Sequence, residues 1–265
     1  MSLVFDGVDD RVSTTSGTGI PSGTPLSMCC VVRFTSFTSY PALIQLGDTA
    51  TPPHHGWYVS DLGALDIYNG VDIISATGVV TGAWLFIGIA SATQTSHRFF
   101  CYNYETRATL ITGTSTGDPG SFATPGAATS QIGAYNVGGV YADFLDGEMA
   151  WLGVYAQDFT VDSGSALQAI AVLGPYARGA PDLFFDFLES SGTAARERIV
   201  NNTWTLTNFP ASPWRAVNLP GPWWTRSAHR VIRPQAAATA IDPGVLHYNA
   251  PGNQLTPHYP RAVPF

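Results

Sequence analysis

Lysine is absent from this 265-residue chain, so all 12 basic residues are arginine. Charge is scarce altogether: 12% of residues carry one and 45% are hydrophobic, which excludes a charge-driven disordered segment and a coiled coil. Cysteine occurs three times, at Cys29, Cys30 and Cys101. Adjacent residues of a strand face opposite ways, so Cys29 and Cys30 cannot both reach Cys101. At most one disulfide can form, buried free thiols are the expectation, and no metal-type cysteine spacing is present. No apolar run approaches the ~18 residues of a membrane helix. The most apolar window, residues 79–92, is broken by Gly82 and Gly88 and reads as a buried strand. No glycine-rich phosphate loop, nucleophile elbow or Ser-His-Asp order occurs, and a net charge of −7 argues against nucleic acid as a partner. Membrane is excluded as a partner on the same reading.

What is abundant is turn chemistry: 27 Gly and 19 Pro separate short runs of β-type residues. The organising stretch is residues 3–12, Leu-Val-Phe-Asp-Gly-Val-Asp-Asp-Arg-Val, an apolar triplet, a tight acidic turn and a return into strand. No basic region or apolar leader precedes it, so no cleaved signal peptide is expected. Strands are predicted over 26–34, 42–48, 56–60, 63–68, 71–75, 82–90, 97–104, 131–134 and 145–155, with Asn69-Gly70 marking a hairpin. Residues 112–130 are poor in large apolar side chains and read as a long exposed loop. One helix is expected, capped by Asp162, with Leu167, Ile170 and Leu173 on one face and Gly174-Pro175 ending it. Residues 183–188 and 203–207 are expected to form a last strand pair. The fold class is therefore all-β, a sandwich with one short helix.

From Pro213 the pattern changes to Pro, Arg, His, Ala and aromatics without period, which describes an extended arm. The arm carries five Arg against Asp242, or +4, and the body seven Arg against 18 acids, or −11, which sum to the net −7. Two units follow: a β-sandwich over 1–212 and an arm over 213–265 that docks on an acidic neighbour. Aromatic and Arg residues anchor interfaces, so Trp214, Trp223, Trp224, Arg226, Arg230, Arg233 and Arg261 are the candidate anchors.

The order of these runs resembles laminin G-like domains of the concanavalin A-like lectin superfamily. Residues 3–12 match the family's L-x-F-D-G-x-D-D-x-V opening, 26–34 its second strand, 84–90 its "W-hva" strand, and 145–155 its "f-x-G-x-I" strand ahead of the helix. The resemblance covers about residues 3–173 and implies a jelly-roll β-sandwich. The arm is more loosely similar to those of tailed-phage virion proteins.

Candidate sites follow from the residues. His54, His55 and Trp57, after Thr51-Pro52-Pro53, read as a loop that contacts a glycan. Asp6, Asp9, Asp10 and Asp146, with Asp143 near them, are a candidate calcium set if the first and late strands are neighbours; otherwise Asp6, Asp9 and Asp10 build a turn. Apart from calcium no cofactor is implied. Asp146 and Glu148 are two apart on one strand face, the arrangement a glycosidase acid and nucleophile would need. Three functions are open: a non-enzymatic virion structural protein, in particular an outer capsid decoration protein; a glycan-binding adhesin; and a glycoside hydrolase. The first implies the major capsid protein or neighbouring copies as partners, a homo-oligomer, synthesis in the host cytoplasm and a place on the outer surface of the virion.

Overall fold

The computed structural model describes residues 1–15, 18, 20, 25–37, 40–47, 55–68, 71–118, 129–189 and 191–217. Arm residues 218–265, with Trp223, Trp224, Arg226, Arg230, Arg233 and Arg261, lie outside the described residues, as do His54 and Asn69-Gly70.

In chain order the strands are β1 (Ser2–Asp6), β2 (Arg11–Thr14), β3 (Leu26–Phe34), β4 (Ala42–Leu46), β5 (His55–Val59), β6 (Ala64–Tyr68), β7 (Asp72–Thr77), β8 (Leu85–Thr93) and β9 (Ser96–Asn103). They continue with β10 (Ala108–Ser115), β11 (Ser130–Ile132), β12 (Tyr135–Val137), β13 (Val140–Ala142) and β14 (Asp146–Tyr155). After helix α1 (Ser165–Leu173) come β15 (Leu183–Phe185), β16 (Ala194–Arg196), β17 (Thr203–Thr207) and β18 (Trp214–Arg215).

Two antiparallel sheets face each other. The first runs β10-β9-β8-β3-β14-β1-β18, with β15 also on β14; the second runs β16-β17-β2-β11-β4-β5-β6-β7. Period-2 alternation decides what each strand buries. Leu3 and Phe5 of β1, Val12 of β2, Ile44 of β4, Trp57 of β5 and Ile67 of β6 all turn into the core between the sheets. A fully buried side chain of that size contributes about 1.5–3 kcal/mol. The opposite face of the first sheet is apolar too: Cys29, Val31, Phe86 and Trp151 form a second cluster under Leu167 and Ile170 of α1. Gly88 lets the helix approach, since a Cβ there would sit 2.9 Å from Leu167. The opposite face of the second sheet is polar, and it carries the candidate site.

The expected neighbours β1 and β14 do pair, with Asp6 beside Asp146 and Val4 beside Glu148. Several expectations are corrected. Residues 112–115 continue β10 and pair with β9 rather than opening a loop. The residues expected as a last strand pair separate, β15 joining β14 and β17 joining β16 and β2. The helix begins after Gly164, with no side-chain cap bond, and a 3₁₀ turn over Asp162–Gly164 precedes it. Leu173 is exposed, because the last turn passes the edge of the apolar cluster. All three cysteines are buried free thiols, raised by burial well above the usual thiol range.

Trp214 and Arg215 belong to the first sheet. They pair with Leu3 and Ser2, and Val4 N–H donates to Pro213 O at 2.9 Å. The Trp214 ring packs into the core between the sheets. The tail of the described chain is thus fastened at the strand that opens it.

Candidate functional site

Register puts Ser13, Gln131, Gln45, Gly56, Tyr68 and Asp72 in one row across the outer face of the second sheet. A second row brings Tyr58 beside Asp66. Sheet faces turned away from a core are normally solvated by charged side chains. Here the middle of the face carries amides, hydroxyls and tyrosines, with Arg11 to one side and Asp66 and Asp72 to the other, and Gln45, Gln131, Asp66 and Tyr58 are all buried.

The short hairpin β12–β13 lies over the middle of this face, held by three contacts. Gln45 Nε2 donates to Asn136 O at 3.1 Å, and Asn136 N–H donates to Gln45 Oε1 at 2.6 Å. The Arg11 guanidinium stacks 3.8 Å above the Tyr141 ring, a cation–π contact. Tyr135 meets Tyr58 and Tyr68 edge-on, with centroids 5.5 and 5.8 Å away. The turn of the hairpin is Gly138-Gly139, both at positive φ, and Gly139 N–H donates to Asn136 Oδ1 at 2.7 Å. Val137 and Val140 stand exposed beside it.

On this face some polar groups are left without partners among the described residues. Gln131 is fully buried, yet neither atom of its amide has a hydrogen-bond partner among the described residues. The same holds for Tyr58 Oη and Asp66 Oδ1. Each buried, unmatched polar group costs on the order of 1–3 kcal/mol, so folds rarely leave several on one face without use. The Tyr58 ring lies over Gly56, where a Cβ would come within 2.2 Å of Oη. Burial, then the neighbouring Asp72, pushes Asp66 up to about 7. Burial also raises the Tyr58 phenol. At the rim Tyr40 bonds Asp61, which raises the Tyr40 phenol.

The sites expected from sequence fall elsewhere. His55 and Trp57 are not on a loop: both lie in β5, His55 is 1% and Trp57 0% exposed, and the Trp57 ring is part of the core. Strand alternation turns them inward, so neither presents a ring to a glycan; Tyr58, the next residue along the strand, faces outward. Asp6, Asp9 and Asp10 do converge, their carboxylate oxygens lying within 4.8 Å of one another, with Asp146 outside that group. Asp6 Oδ1 accepts from Val8 and Asp9 N–H at 2.8 and 3.3 Å, and Asp10 Oδ2 from Asp6 N–H at 3.0 Å. These bonds build the turn. Burial, then Asp6, raises Asp10 to about 6. Asp146 Oδ2 instead accepts from Ser36 Oγ at 2.7 Å.

Glu148 is likewise occupied. Its side chain is 5% exposed; Oε1 receives Arg33 and Arg215, and Oε2 receives Ser2 Oγ at 2.9 Å. With Arg33, Arg215 and Ser2 all bonded to it, both carboxylate oxygens are engaged. The pair Asp146 and Glu148 therefore joins β14 to its neighbours rather than forming a hydrolytic centre.

Gln131, Tyr58, Tyr68, Asp66 and the residues of β12–β13 are not among the site residues expected from the sequence. The one legible signal was Tyr-Asn-Val-Gly-Gly-Val-Tyr at 135–141, a two-glycine hairpin between aromatics.

The two facing antiparallel sheets define a concanavalin A-like jelly roll, the architecture of lectin-like and laminin G domains. A solved structure shares the fold. A candidate carbohydrate binding protein from Bacteroides ovatus superposes with a TM-score of 0.53 at 13% identity, over 78% of this chain and 59% of that one. A heptameric SAP-like pentraxin from Limulus polyphemus gives 0.49 at 14%, over 78% and 95%. The LG1-3 region of the laminin α2 chain gives 0.45 at 13%, over 58% and 30%. At such identities the likeness is one of fold. No protein-family model and no curated protein matches the chain in sequence.

Proposed function

We propose that this chain is a non-enzymatic carbohydrate-binding domain whose ligand lies on the outer face of the second sheet, across the hairpin β12–β13. The observation that carries this reading is Gln131, a buried amide with donor and acceptor both unmatched, in a row of amides, hydroxyls and tyrosines. Sugars present vicinal hydroxyls that suit an amide and C–H faces that suit tyrosine rings. The Bacteroides ovatus likeness is consistent with it. The test is a glycan array followed by calorimetry on the hits, with the native chain and Gln131→Ala. Saturable binding weakened at least tenfold by the substitution supports the reading; no binding across neutral, basic and acidic glycans refutes it.

A second reading concerns setting rather than ligand. We propose that the domain is displayed on the outside of a phage particle as a decoration protein, with the arm docking on capsid protein or neighbouring copies. What supports it is the charge asymmetry between an acidic body and a basic arm, together with the docking of Trp214 and Arg215 against β1, which gives the arm a fixed root. Deleting residues 218–265 is expected to leave a folded domain that fails to join particles; normal incorporation refutes it.

A further inference from the structure

The second sheet is polarised along its strand order. Arg196 of β16 and Arg11 of β2 lie toward one side; Asp66 of β6 and Asp72 of β7 lie at the other. Four strand spacings of about 4.8 Å separate β2 from β6, roughly 19 Å, beyond the Debye length of about 8 Å at physiological salt. Arg11 is in any case committed to Tyr141. The acidic end therefore has its own local field, and the chain contains no lysine to offset it.

At that end Asp66 faces Tyr58 from β5, Asp72 from β7 and Tyr40 from the segment ahead of β4. Tyr40 is 43% exposed and bonds Asp61, and Asp143 acts on Tyr58 from the loop after β13. Among the described residues, the ionisable groups that act on Asp66, Tyr58 and Tyr40 are acids and phenols, with no arginine or histidine among them. Asp66 is bonded by the backbone N–H groups of Ile67 and Ile73 and shares a side-chain hydrogen bond with Asp72, while its Oδ1 is unmatched among the described residues. Asp72 is exposed and Tyr68 and Tyr135 are half-buried, so the rim is open to a ligand while Asp66 forms the floor.

We infer that this end of the face selects a carbohydrate bearing a protonated amine, such as a glucosamine unit, seated against Asp72 and Asp66 with its ring over Tyr68 and Tyr135. This rests on the carbohydrate-binding reading above. An ammonium supplies the one charge sign the cluster lacks, and tyrosine faces add cation–π attraction. A carboxylated sugar at the same place meets like charge. The upward shift of Asp66 agrees: a cation beside the pair favours the ionised form, so ligand binding releases a proton near neutral pH.

The experiment is calorimetry of the full chain at pH 7 with three probes: a β-1,4-linked glucosamine oligomer, its fully N-acetylated counterpart, and a sialylated oligosaccharide. The expected result is at least tenfold tighter binding of the free amine than of the acetamide, no binding of the sialylated probe, and net proton release when buffers of different ionisation enthalpy are compared. Asp66→Asn and Asp72→Asn are expected to weaken binding of the amine at least tenfold and bring amine and acetamide to near parity. Glu105→Gln, which removes the same charge far from the site, is expected to leave the preference intact. Equal or tighter binding of the acetamide or sialylated probe overturns the inference while the carbohydrate reading stands, and so does a Glu105→Gln effect as large as that of Asp66→Asn. Absence of binding by all three probes, with a hit elsewhere on the array, overturns the inference alone. Absence of any hit overturns both.

Discussion

Removal of the Glu148 carboxylate tests how the two ends of the described chain are joined. The Glu148→Ala change deletes an anion, 5% exposed, that holds Ser2 of β1, Arg33 of β3 and Arg215 of β18. Breaking a fully buried pair costs about 3–5 kcal/mol because the partner charge stays desolvated. Here the partners escape, since the Arg33 side chain is 35% and the Arg215 side chain 57% exposed. The expected loss is therefore smaller, about 1–3 kcal/mol including the lost charge-assisted bonds. For a domain of this size that lowers Tm by roughly 2–4 °C per kcal/mol. Arg215→Ala is expected to cost under about 1 kcal/mol, as exposed pairs do, and in a double-mutant cycle its effect is mostly absent once Glu148 is gone. Urea denaturation monitored by tryptophan fluorescence measures all three variants. A Glu148→Ala midpoint within error of the native one, or fully additive effects, would show that the carboxylate does not tie β18 to the sheet. If Glu148→Gln abolished release of sugar from any glycoside, the assignment of this residue to architecture would be wrong.

Other outcomes follow from the same geometry. Asp66 is raised in the folded state to about 7, so the native chain holds a proton that the unfolded chain loses near pH 4. Its penalty on stability is thus absent below about pH 4, grows as pH rises to about 7, and is constant above. Asp66→Asn should remove that slope, gaining at pH 8 at most on the order of 4 kcal/mol by linkage; equal pH profiles of the two proteins in thermal melts would refute the assignment. Tyr58→Phe deletes a hydroxyl without a partner among the described residues, so stability should stay level or rise by up to about 1 kcal/mol while carbohydrate affinity falls. A stability loss above about 1 kcal/mol in chemical denaturation would contradict this. Gly133→Ala places a Cβ 2.3 Å from the Phe5 ring at φ 79°, and a loss of about 2–4 kcal/mol is expected in the same assay; a neutral result would contradict that packing. Cys29, Cys30 and Cys101 should resist alkylation by iodoacetamide until the domain unfolds, and labelling of the native state within minutes would contradict their burial.

Much of the fold was legible because a half-buried strand writes its pattern directly into the chain. Residues 26–34 coincide with β3 and residues 145–155 overrun β14 by one residue, while the pairing of the first strand with the late one was implied only by the laminin G-like resemblance. Strands without a strong apolar face were missed. In β10 only Ile111 is buried, and β13 exposes Val140. The helix cap was misread because Asp162 is a sound capping residue, but the glycine at 164 takes the left-handed turn two residues later.

The candidate site was scarcely legible. Its residues come from β4, β5, β6, β7, β11 and the β12–β13 hairpin, and only pairing places Gln131 beside Gln45 or Tyr58 beside Asp66. The glycan reading of His55 and Trp57 took a strand for a loop, and both side chains face inward. Local composition cannot tell inward from outward until the register is known, since a shift of one residue exchanges them.

Composition and alternation alone determined an all-β chain with buried thiols and an arginine-rich tail. They act through neighbours a few residues apart, which every stretch of chain carries with it. Tertiary structure decided that Glu148 binds two arginines and that Trp214 returns to β1. It also decided that an acidic, tyrosine-lined end forms on the outer face of the second sheet. Those contacts join residues far apart in sequence, and only closure of the two sheets creates the burial and low dielectric that give them their chemistry.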